Sequence, residues 1–129
     1  MDNTYMFVIV ALGLAVLDVV SGYASAVKNG TLNSSIMSDG LWSKLGEVFA
    51  IVIAFMCEFC ISLYGENFLH VSLDVPISTG VCAYITIYEL TSIVENIGKL
   101  NSTIGNWLIN VLGIDPIKVN LDGEVKSDD

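Results

Sequence analysis

A chain of 129 residues that is 53% apolar and 15% charged is too rich in hydrophobic side chains to be disordered. It also exceeds the composition of ordinary soluble domains, about 45–50% apolar and about 25% charged. Five Lys, no Arg and fourteen acids give a net charge of −9, which excludes a basic nucleic-acid footprint. The length sets one domain as the prior.

In chain order, the first apolar run covers 5–27 and is interrupted by Asp18. Its core, 6–17, followed by Ala24-Ser25-Ala26, has the outline of a signal peptide. However, Asp2 stands where such a peptide needs a basic residue, so the expectation is a retained span. A second run covers 46–64 and carries Glu47 and Glu58; a third covers 78–97 and carries Glu89 and Glu95. Each has the roughly 20 residues that cross a bilayer as a helix. The alternative is a soluble bundle of very apolar helices, but a chain this small has too little interior to bury three such runs on all sides.

The connectors read as loops. Residues 28–43 contain Asn29-Gly30, several Ser, Asp39 and Gly40, and residues 65–77 contain Gly65-Glu66-Asn67, His70, Asp74 and Pro76. After Lys99, Ser102 is the expected N-cap of a short helix within 101–114. Its apolar face is Ile104, Trp107, Leu108, Val111 and Leu112, and its polar face is Gly105, Asn106 and Asn110. Trp107 and Leu108 are its interfacial contacts if it lies in the membrane surface; packing against the bundle is the open alternative. Residues 115–129 form an acidic tail. The expected architecture is all-α and integral to the membrane. It comprises a three-span unit over 1–100, an amphipathic helix over 101–114 and the tail.

Charged side chains at the bilayer centre cost about 2.5–3.5 kcal/mol on insertion scales. Asp18, Glu58 and Glu89 sit well inside the runs, and no Lys falls within the expected spans to pair with them. They are therefore expected on helix–helix or lumen-facing surfaces. The spacing supports this. Ala11, Ala15, Asp18, Gly22 and Ala26 make a stripe on the first span, beside Ser21. Glu47, Ala50, Ala54 and Glu58 make one on the second; Cys82, Ile85, Glu89, Ser92 and Asn96 make one on the third. Small and polar stripes permit close helix approach in lipid. They suit either self-association or packing within one chain. Ser92, Glu95 and Asn96 join Asp18, Glu58 and Glu89 as intramembrane polar candidates.

Lys positions set the expected orientation. The first connector carries Lys28 and Lys44, the second carries none, and Lys99, Lys118 and Lys126 follow the third span. This places the N-terminus outside and the C-terminus in the cytoplasm. Cys57-Glu58-Phe59-Cys60 matches a metal or redox spacing, but a second such pair is missing, and His70 is the sole His. All three Cys lie in apolar runs, where Cys packs as a small hydrophobe. No cofactor, metal site or catalytic set is expected.

The residues also resemble the toxin-secretion/phage-lysis holin family, from about Leu17 to Lys99. The family's Asp-x-x-Ser/Thr-Gly is matched by Asp18-Val19-Val20-Ser21-Gly22. Its Ser, Gly, Lys loop is matched by Ser34-Ser35, Gly40 and Lys44, and its Glu-x-x-Ser-Ile-x-Glu-Asn by Glu89 through Asn96. The acidic tail and the lack of Arg depart from the family's short basic end. The resemblance implies a non-enzymatic protein of the bacterial cytoplasmic membrane that assembles with copies of itself into lesions. These lesions release or activate an endolysin, or export a toxin, without necessary direct contact. Read from the intramembrane acids alone, a small ion- or proton-handling subunit is the other class, and an antiholin shares the resemblance.

Overall fold

The computed structural model describes residues 3–70 and 75–113. Asp2, Asp74 and the acidic tail lie outside them. Four α-helices follow one another: α1 (Asn3–Asn29), α2 (Ser34–Tyr64), α3 (Ile77–Leu100) and α4 (Ser102–Leu112). A π-helical turn, Gly65–Leu69, prolongs α2. At 1.5 Å per residue the first three are about 40, 46 and 36 Å long, and all three are long and apolar enough to cross a membrane.

Local chemistry explains the boundaries. α1 stops at Gly30, whose φ of 65° is left-handed, and Thr31 N–H returns 3.0 Å to the Ala26 carbonyl. That six-to-one bond closes helices that end on glycine. The first connector is much shorter than the expected 28–43. Asn33 caps α2, accepting from Ser35 N–H at 2.9 Å, and Ile36, Met37, Gly40, Leu41 and Lys44 then lie within α2. Residues that read as loop by composition are the exposed first turns of a helix. The expected loop over 65–77 likewise begins with helical backbone, ending at His70 in the left-handed region, φ 53°. Asn101, not Ser102, caps α4. It lies between α3 and α4, and its side chain accepts from Thr103 and Ile104 N–H at 3.1 and 3.3 Å.

α1 runs parallel to α3, with Ala11 level with Cys82 and Lys28 level with Leu100, and their small residues meet. Ala11 and Cys82 have no exposed surface and cluster with Ile51 and Ile85. The buried core is otherwise slight. Only 6% of the most apolar window of α1 and 17% of that of α2 is buried, while Phe7, Ile9, Val16, Val20, Ile53, Met56 and Phe59 point outward. A helix set that is apolar on its outside is solvated by lipid.

α4 folds back on α3 along an edge that joins Gly105 of the expected polar face to Leu108 of the expected apolar face and to Ile109. Gly105 and Ile109 are buried, Ile109 against Val94 with Leu108 alongside. A Cβ on Gly105 would come 2.5 Å from Gly98 Cα, so the two backbones touch where neither carries a side chain. Asn106 and Asn110 stay exposed, as do Ile104, Trp107, Val111 and Leu112. α4 thus packs on the bundle along one edge and presents apolar residues outward along another.

Candidate functional site

The polar interior is organised around Lys44. Because α2 begins at Ser34 rather than near residue 46, Lys44 is a helical residue facing α1 and α3. This corrects the expectation that the intramembrane acids have no Lys partner. Its Nζ lies 2.9 Å from Asp18 Oδ2 on α1, 2.5 and 2.6 Å from the two Glu89 oxygens on α3, and 3.4 Å from Glu47 Oε1 one turn along α2. Glu89 has no exposed surface; Asp18, Lys44 and Glu47 side chains keep 13–16%. The Lys44 ammonium also stands 5.9 Å from the centre of the Tyr88 ring, within cation–π range. One cation therefore serves three carboxylates from three helices. Glu47 Oε2 is buried without a hydrogen-bond partner among the described residues.

Asn96 extends the cluster. Its amide donates to Asp18 Oδ1 at 3.0 Å and to Ser21 Oγ at 3.2 Å, and Ser21 Oγ donates to the Asp18 carbonyl at 3.0 Å. Gly22 leaves room for Asn96, since a Cβ there would lie 3.4 Å from its Nδ2. The Asp18-x-x-Ser21-Gly22 segment of α1 and the Glu89-to-Asn96 segment of α3 thus form one hydrogen-bonded unit.

Glu58 belongs to a second polar contact. It accepts from Ser78 N–H at 2.7 Å and from Ser78 Oγ at 2.9 Å on both oxygens. α3 follows Pro76, which supplies no side-chain cap, so a carboxylate from α2 satisfies an orphan donor of its first turn. Lys28 acts at the opposite end of α3, donating to the Leu100 carbonyl and, at 3.4 Å, to that of Lys99.

The remaining expected residues divide. Ala11, Ala15 and Ala54 are buried, so the small stripe of α1 is occupied within the chain. Ala26 and Ser92 line a cleft of about 510 Å³ between α1, the first half of α2 and the second half of α3, together with Leu41, Lys44 and Lys99. Ala50 is exposed, in a second cleft between α2 and α3 with Gly46, Gly80 and Tyr84. Glu95 leaves the cluster and pairs with Lys99 at 2.8 Å. Trp107 is exposed and Leu108 half-buried. Lys44 and Ser78 complete the polar contacts without being among the residues expected from sequence. For Lys44 the signal existed, because it lies three residues before Glu47 on the stripe that continues through Ala50, Ala54 and Glu58. Ser78 gave none, since its partner comes from a different helix.

The model of the bacteriophage holin family matches residues 2–114. No curated protein and no solved structure matches the chain.

Proposed function

Because the chain belongs to the bacteriophage holin family, a multi-pass membrane protein with a role in membrane permeabilisation and lysis and no catalytic step, we propose how it does so. Copies accumulate in the bacterial cytoplasmic membrane with their carboxylates closed around Lys44, then associate and open into lesions lined by the acid-bearing faces. The lesions release or activate an endolysin that need not touch the protein. The observation that carries this reading is the Asp18–Lys44–Glu89 cluster, an ionic centre shared by three helices. Such a centre is costly in lipid and is relieved by water once a lumen forms. Charges there also feel the membrane potential, about 2.3 kcal/mol per elementary charge per 100 mV.

The proposed orientation has the N-terminus outside and the C-terminus cytoplasmic. Lys28 and Lys99 gather at the end of the bundle that carries α4, which supports a cytoplasmic face there. The exposed Ile104, Trp107 and Val111 then sit in the inner interface.

The test is inducible expression with potential and dye-leak readouts, with and without an endolysin. Abrupt depolarisation and leak from this chain alone, with lysis when the endolysin is present, is expected. Harmless accumulation, or leak only with a partner subunit, overturns the reading in favour of an antiholin or an ion-handling subunit. Glu89→Gln and Asp18→Asn should each shift the time of lysis; if both keep the parental timing, the acids play no part in opening.

A further inference from the structure

α1, α3 and α4 are joined differently from α2. α1 meets α3 from Ala11 to Lys28, through buried alanines, Gly22 beneath Asn96 and Lys28 on the last carbonyls of α3. α4 is tied to α3 at the Gly98–Gly105 contact. α2 buries only Ile51 and Ala54 of its own length, while Phe49, Val52, Ile53 and Met56 face outward. In lipid an apolar contact between helices has little advantage over a contact with acyl chains. Two polar clasps therefore hold α2: Lys44, its only basic residue, on Asp18 and Glu89, and Glu58 on the first turn of α3.

Beneath α2, along the seam with α1, lies a continuous face of α3, on which Cys82 packs against Ile51 of α2 as well as Ala11 of α1. Ser78, Cys82 and Glu89 are all at most 1% exposed, spaced so that they share one side of the helix, with Asp18 of α1 beside them. This face contains the polar side chains that lipid would reject if α2 were absent.

We propose that α2 undocks as a unit from the α1–α3–α4 assembly when the lesion forms, and that the Ser78–Cys82–Glu89 face of α3 becomes its water-facing wall. The role of this motion in lysis rests on the permeabilising function above; the docking of α2 by Lys44 does not.

Cys82 is a built-in reporter, since the other two cysteines, Cys57 and Cys60, are exposed on α2. The full chain carrying Cys57→Ser and Cys60→Ser is placed in dye-loaded liposomes and treated with a charged, water-soluble methanethiosulfonate. Cys82 labelling should be slow at low protein density and rise together with dye release at high density. Lys44→Met should label at least about tenfold faster at low density, the equivalent of about 1.4 kcal/mol. The swap Lys44→Glu with Glu89→Lys should restore slow labelling, which separates undocking from a general loss of fold. A second measurement needs no water at the site: the spin–spin distance between Cys57 on α2 and a label at Tyr84→Cys on α3, with Cys60→Ser and Cys82→Ser, should lengthen in Lys44→Met. Dye release with Cys82 still unlabelled overturns the proposal, as does an unchanged distance in Lys44→Met. A parental chain that releases no dye at any density overturns the permeabilising role instead, and the distance comparison still decides whether Lys44 holds α2.

Discussion

Glu89 has no exposed surface and, among the described residues, a single cationic partner, whereas Lys44 has three acidic ones. The two are therefore unequal under substitution. Lys44→Met leaves Glu89 buried without its counter-ion and is expected to cost about 3–5 kcal/mol, the usual penalty for breaking a buried pair from one side. Glu89→Leu leaves Lys44 with Asp18 and Glu47 and should cost clearly less. The double variant should recover part of the Lys44→Met loss. Denaturation in detergent followed by helicity checks all three; equal losses for the two single variants would mean that the pair does not set the energetics. At the other clasp, Glu58→Ala removes the cap of α3 and should cost about 0.5–2 kcal/mol. Ser78→Ala should cost less, because its N–H still reaches Glu58 Oε1. Among these residues the sequence makes the acids legible, since a carboxylate in an apolar run is conspicuous. The cation is not, because Lys44 stands among Ser, Gly and Asp and reads as loop until Asn33 is recognised as the cap that starts the helix earlier.

Among the elements, α1 and α3 are legible from apolar length alone, and α4 from its spacing. The start of α2 is hidden because composition measures how wet a segment can be, not whether its backbone is hydrogen-bonded. Ser34, Ser35, Ser38 and Asp39 are as compatible with an exposed helical turn as with a loop, and all are exposed here. The packing face of α4 is hidden for another reason. Glycine carries no hydropathy, yet Gly105 decides which side of α4 approaches α3. Gly105→Leu should therefore push α4 from Gly98 and speed amide exchange across Ser102–Leu112 with little change in α1. Unchanged protection in α4 would show that Ile109 alone anchors it. α1 carries the corresponding lesson for its stripe. Ala11 and Ala15 are small and regularly spaced, as a self-association surface would be, but α3 of the same chain already fills that role.

As a whole, the molecule is apolar outside and polar at its centre, an inversion the sequence announces by placing acids inside spans of membrane length. Orientation is a property of this scale as well. With the Lys28 and Lys99 end cytoplasmic, a protease added outside intact cells should leave the tail uncut until lysis begins; early cleavage would reverse the assignment. Glu58 sits level with the first turn of α3 and Lys44 with its middle, so the register of α2 is set while its final turns run on past the start of α3. Phe59, Leu63, Tyr64 and Phe68 project there, exposed. A helix of about 46 Å clasped to one of about 36 Å cannot slide to suit the bilayer it occupies. In a thin membrane it can only tilt, carrying its neighbours with it, or strain its clasps. The acyl-chain length of the host lipid thereby becomes an input to the closed state.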